Sequence, residues 1–179
     1  MVLTPLPAED WDDKARESLS SLVEPEMRNP AAAGNALATM VRHPGLTEAY
    51  LPFNTYLLQG STLPPRIREL LILRVAHFRS CSYEWGHHVL LAREAGISDD
   101  EIAAVQNGTL TDEFDRTLMA AVDELHQQSK ISPQTWAALG ARLDDRARMD
   151  LIFTVGGYGV FATALNTFGV ELEPAEPTD

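Results

Sequence analysis

The stretch Arg66–Gly96, RIRELLILRVAHFRSCSYEWGHHVLLAREAG, decides how this chain is read. After Pro64-Pro65, which suit a helix's first turn, Ile67, Leu70, Leu71, Leu73, Val75 and Phe78 recur densely enough to predict a helix apolar around most of its circumference. Such a helix belongs at the centre of a core. Residues 79–81 leave room only for a tight connection, and a second helix follows as far as Gly96. Side chains able to do acid, base or thiol chemistry crowd this pair. Glu69 lies on the first helix, while Cys81, Glu84 and His88 stand at i, i+3 and i+7 of the second and share one of its faces.

Helical signals continue on both sides. Asp10 is placed to cap a helix running to about Val23, with Trp11, Ala15, Leu19 and Leu22 on one face. A short helix, Ala36 to Arg42, comes next, and Pro44 opens another whose apolar positions are Leu46, Tyr50, Phe53 and Leu57, stopped at Gly60. Beyond Gly96, Ser98-Asp-Asp-Glu101 is a capping-box pattern starting a helix to about Gln106, and Asn107-Gly108 is a turn. Thr111 or Asp112 starts a helix carrying Phe114, Leu118, Ala121, Val122 and Leu125, and Ser132-Pro133 starts one more. The last, from roughly Asp144 to Phe168, begins polar and turns apolar; Thr154, Thr163, Asn166, Thr167 and its glycines favour a buried helix over a membrane span. No segment alternates like a strand, and no repeat is present. The fold class is all-α, one domain over 1–179, with 170–179 an acidic, disordered tail.

Composition narrows the function classes. A net charge of −12 with two lysines, Lys14 and Lys130, argues against nucleic acid, which needs clustered cations. Between Arg66 and Arg93, however, five arginines face two acids, so a small anion could be drawn there; equally, those arginines could neutralise acids on neighbouring helices. The single cysteine excludes an intrachain disulfide and a cysteine-rich zinc site. The N-terminal MVLTPLPAEDW has neither a basic start nor an apolar run, so a cytoplasmic location is expected, with no membrane partner.

Each candidate residue has a bland reading beside the chemical one. Cys81, near a helix N-terminus and Arg79, is either a reactive thiol or a small buried hydrophobe. Glu84 either complements the helix dipole or, one turn before His88, orients that ring for proton transfer. Glu69, in an otherwise apolar helix, is either buried at a polar cavity or paired with Arg66 or Arg68 at the surface. Tyr83 and Trp85 offer aromatic surface for a pocket wall or a subunit contact. His77, His87, His88 and Glu69 match no zinc spacing, so no metal is expected. Gly157-Tyr-Gly159-Val-Phe-Ala162 fits a dinucleotide fingerprint weakly, and close helix packing explains its glycines more simply.

These residues resemble the carboxymuconolactone decarboxylase and alkylhydroperoxidase-D-like (AhpD-like) superfamily. The likeness is specific from about Pro64 to Asn107 and looser over a core of about 46–125. Peroxidases of the family carry E-x11-C-x2-C-x3-H; here the pattern is Glu69-x11-Cys81-x2-Glu84-x3-His88, so a glutamate stands where the second cysteine would. The resemblance implies an all-helical fold of antiparallel helices with a central hairpin carrying the site, and a homotrimer or homohexamer. YEW at this place looks like the decarboxylase-type branch, which implies a cofactor-free lyase acting on a small anionic lactone, with Glu69, Cys81, Glu84 and His88 as catalytic residues and His88 as proton donor. Arg74 or Arg79 would hold the substrate carboxylate. The alternatives are a one-cysteine, thiol-dependent peroxidase, or a non-catalytic oligomeric ligand-binding protein.

Overall fold

The computed structural model describes residues 3–174, and among these there are nine α-helices and no strand: the chain is all-α. It divides into two compact units, one of residues up to 59 together with those from 164 onward, the other of 60–163. Five further residues, 175–179, lie outside the described part and with them half of the expected disordered tail.

The first unit contains α1 (Asp13–Glu17), α2 (Gly34–Met40) and α3 (Pro44–Thr55). The first helix is much shorter than the expected run from Asp10 to Val23. Asp12, not Asp10, is its cap, accepting from the Ala15 amide, and Ser18 ends it by donating its hydroxyl to the Ala15 carbonyl, a local bond that competes with helix propagation. Trp11, Ala15 and Leu19 nonetheless reach the core expected of them, packed with Val41 and Leu51. The expected apolar stripe is split: Leu57 is fully buried and Tyr50 packs partly buried against the core, but Leu46 and Phe53 are exposed. On α3 Thr47, Leu51 and Asn54 face inward, the Thr47 hydroxyl donating to the Met40 carbonyl, while Tyr56 just beyond the helix is exposed. Residues 171–173 are held rather than loose: Asn35 donates its amide to Glu173 at 2.6 Å and its side chain to the Glu171 carbonyl at 2.9 Å.

The second unit is built on α4 (Pro65–Phe78), which is buried continuously from Glu69 to Ala76. It packs against α5 (Ser82–Glu94), α6 (Asp99–Asn107) and α7 (Glu113–Gln128), the last of which carries α8 (Pro133–Leu139). The turn from α4 to α5 is a Schellman motif: Ser80 donates to the His77 carbonyl and Cys81 to that of Ala76 at 2.9 Å. Ser80 takes the left-handed conformation (φ 51°) that glycine ordinarily supplies. At α6 the predicted capping box is present, and Glu101 serves it while also receiving Arg66, which reaches Asp115 on α7 as well. These bonds hold Glu101 at about 2, well below its ordinary value, with the Arg66 guanidinium the chief cause.

The last helix, α9 (Asp145–Phe168), contributes residues to both units. Asp150 anchors it within the second by accepting from the Thr62 amide and hydroxyl. By length and composition α9 could cross a membrane. The expectation of a buried helix needs correcting, because only one face is covered: Leu151, Thr154, Tyr158 and Ala162 are buried, whereas Phe153 is 53% and Val160 65% exposed. A 3.6-residue period over so many apolar positions leaves more apolar surface than one contact face can cover.

Candidate active site

Glu69 is wholly buried in the middle of α4, where an unpaired carboxylate would be prohibitive. Both of its oxygens are used: Arg68 Nε donates to Oε1 at 2.9 Å, and His88 Nδ1 lies 2.7 Å from Oε2. The surface ion pair and the buried site are therefore combined in one residue. Because the carboxylate accepts, the His88 proton on that side sits on Nδ1, and Nε2 is the nitrogen left for proton transfer. The ring is further seated edge-on to Tyr158 of α9, centroids 5.0 Å apart.

Glu84 does not orient His88, despite the one-turn spacing. It is 2% exposed, and neither carboxyl oxygen has a hydrogen-bond partner. Nor does its carboxyl bond to the free amides of the first turn. Burial alone pushes it up to about 8, so it keeps its proton at neutral pH. The result is a neutral carboxylic acid.

Cys81 is the N-cap residue of α5 and is 1% exposed. Its thiol is raised to about 11, chiefly by desolvation; the backbone amide of Glu84 pulls the other way, the Glu84 carboxyl adds to the rise, and the Tyr83 amide opposes it. Desolvation outweighs the helix N-terminus, so the inert reading of the thiol is the better one near pH 7. Cys81 nevertheless lines a pocket of about 330 Å³ with His77, Ser80, Ser82, Trp85 and Gln106. Tyr83 is buried, its ring tilted by 43° against that of His87 with centroids 4.5 Å apart, and it does not line that pocket.

The two arginines expected to hold a substrate carboxylate are elsewhere. Arg74 is buried and spent: Nε and Nη2 each donate to Asp123 at 2.8 Å, and Nη1 donates to the carbonyls of Val105 and Gln106 at the end of α6. That clamp ties α4, α6 and α7 together and uses four of its five N–H donors. Arg79 lines a different, larger cleft. Of the five arginines near the site, Arg66, Arg68, Arg74 and Arg93 all pair with acids, so most of the local positive charge is neutralised within the fold. Among the described residues no group of His, Cys, Asp and Glu could hold a metal ion. The signal missed in the sequence was Asp123, 49 positions from Arg74.

A buried glutamate–histidine pair lies on a central helical hairpin with a cysteine at the turn, and the fold is AhpD-like. Residues 44–127 match the carboxymuconolactone decarboxylase family. The fold is similar to that of an alkylhydroperoxidase AhpD core, an uncharacterized peroxidase-related protein from Ralstonia eutropha JMP134, at 15% identity over 97% of this chain and 94% of that one, TM-score 0.77. A second uncharacterized peroxidase-related protein, from Silicibacter sp. TM1040, is 14% identical over 96% and 92%, TM-score 0.74. The debrominase Bmp8 is also 14% identical, over 98% and 94%, TM-score 0.74; a cysteine-to-alanine variant of it has been solved with 2,3,4-tribromopyrrole. No curated protein matches the chain in sequence.

Proposed function

We propose that the chain is a lyase of the decarboxylase-type branch, acting without a cofactor on a small anionic lactone or related carboxylate. The observation that carries this reading is Glu84: where the family's peroxidases have a second cysteine, this chain has a buried acid that keeps its proton to about 8. Loss of CO2 breaks one C–C bond and leaves the electron pair spread into the unsaturated lactone, so the site must stabilise that charge and deliver one proton to carbon. His88, held through Nδ1–H by Glu69, takes a second proton on Nε2 from solvent, delivers that proton to carbon as the imidazolium and ends as the neutral Nδ1–H ring, with Glu84 the neutral acid in reserve. The substrate enters at the Cys81 pocket, with Trp85 as a wall. Self-association as a homotrimer or homohexamer gives a use to the exposed Leu46 and Phe53 of α3 and to Tyr56 just beyond it.

A thiol-dependent peroxidase is the second reading, favoured by the presence of Cys81 in that pocket. Against it, a thiol near 11 is ionised in about one molecule in ten thousand at neutral pH. The deciding experiment follows carboxymuconolactone by ultraviolet absorbance and, in parallel, hydroperoxide with an external thiol, for wild type, Glu84→Gln and Cys81→Ser. Lactone decay lost in Glu84→Gln and kept in Cys81→Ser supports the lyase. Hydroperoxide loss that needs Cys81 replaces it with the peroxidase, and silence in both assays leaves a ligand-binding protein.

A further inference from the structure

Arg74 is clamped to Asp123 and Arg79 lines another cleft, so neither guanidinium belongs to the pocket at Cys81. No Asp, Glu, Lys or Arg lines that pocket, but four side chains able to donate hydrogen bonds do: His77, Ser80, Ser82 and Gln106. Building on the lyase reading, on which the assignment rests, we propose that His77 and Gln106 anchor the substrate carboxylate, and that the pocket takes a flat monocarboxylate whose ring lies against Trp85.

The donors come from three helices and the turn between two of them. His77 stands in the last turn of α4, Ser80 in the turn, Ser82 at the start of α5, and Gln106 in the last turn of α6. Their positions are set through the backbone. The His77 carbonyl accepts from the Ser80 amide at 3.0 Å, and the Gln106 carbonyl accepts from Arg74 Nη1 at 2.7 Å, which holds the end of α6 against α4. Among the described residues none of the four side chains makes a hydrogen bond, so their donors stay open to a ligand. The His77 ring meets Trp85 edge-on, centroids 6.5 Å apart with 61° between planes, so imidazole and indole bound adjacent sides of one space.

The chemistry of decarboxylation suits such donors better than a guanidinium. In the transition state negative charge leaves the carboxylate for the ring, so a fixed cation against the carboxylate would stabilise the ground state more than the transition state and slow the step. An imidazole keeps at least one N–H in either protonation state, and a primary amide carries two, enough to hold both carboxylate oxygens. The lack of any acid in the lining spares the anion close repulsion in a chain that carries −12. Trp85 offers a flat apolar face to an unsaturated ring. At about 330 Å³ the pocket lies near the lower end of small-molecule sites, which fits one ring with one carboxylate.

The test measures binding by calorimetry on the full chain, with furan-2-carboxylate and its uncharged methyl ester as probes, and follows lactone decay in parallel. His77 and Gln106 are exposed, so replacing them leaves the core intact. Wild type is expected to bind the carboxylate more tightly than the ester. His77→Phe keeps a ring beside Trp85 and removes the N–H; it should raise the Kd for furan-2-carboxylate about tenfold and leave the ester unchanged, and Gln106→Met should act in the same direction. His77→Gln, which brings back an N–H donor, should recover most of the loss. Failure of wild type to bind furan-2-carboxylate, an equal effect of His77→Phe on both probes, or no recovery in His77→Gln overturns the assignment. Lactone decay in wild type with furan-2-carboxylate binding indifferent to His77 overturns it too and leaves the lyase standing. Binding that depends on His77 and Gln106 without lactone decay removes the lyase and keeps the carboxylate site.

Discussion

His88 Nδ1 stands 2.7 Å from Glu69 Oε2, a contact between residues nineteen positions apart that joins α4 to α5 inside the core. Both side chains are buried, so the pair is shielded from water and from salt. Glu69→Gln keeps the shape but gives His88 a partner that no longer demands a proton on Nδ1. Lactone turnover in that variant is expected to fall about a hundredfold, with the His88 tautomer by 15N NMR as the independent check. An unchanged tautomer together with unchanged turnover would remove the pair from the mechanism.

Glu84 makes stability depend on pH in an unusual direction. Its ordinary value is 4.5 and its folded value about 8, so between these the unfolded chain is ionised while the folded one still holds the proton. The folded state thus binds more protons, and the stability present below 4.5 drains away as pH rises, by about 4 kcal/mol at pH 8. Glu84→Gln carries no such charge and should unfold at higher urea than wild type at pH 8, the two converging near pH 4. A wild-type midpoint flat across that window would contradict the burial argument.

Cys81 should be slow to alkylate. Its thiol, raised to about 11 and almost inaccessible, is expected to react with iodoacetamide at least about a hundredfold more slowly than free cysteine at pH 7.5, with the rate climbing steeply above pH 9. Fast labelling at neutral pH would revive the peroxidase reading.

Arg74→Gln removes the clamp on Asp123 and on the carbonyls of Val105 and Gln106. The cost should be about 3–5 kcal/mol of unfolding free energy by urea titration, since several buried partners lose their donor at once. Substrate KM should stay unchanged where the variant remains folded. A raised KM without loss of stability would return Arg74 to the substrate.

Sequence patterns disclosed the elements whose signals are local. Ser98 and Glu101 announce α6, and Pro65 in the first turn announces α4, because caps and proline act within four residues. Glu69 and His88 could be singled out, one as an odd acid in an apolar helix and the other by its spacing from Cys81. Their direct contact could not, because the neighbour one turn away, Glu84, offered the simpler partner. Arg74 was misjudged for the same reason: nothing near it in the chain shows that Asp123 and the end of α6 converge on it. The short α1 reflects a serine whose bond to the backbone outweighs the apolar period around it.

The Schellman turn at Ser80 makes the count of residues between Glu69 and His88 a ruler. The chain reverses within three residues, and both ends of the turn are tied to α4 carbonyls, so no slack exists between the helices. One residue inserted or deleted there would rotate every α5 side chain by about 100° around its axis. His88 would then swing out of reach of Glu69, and Glu84 out of its dry niche, in a single step. This turn can change its letters but not its length.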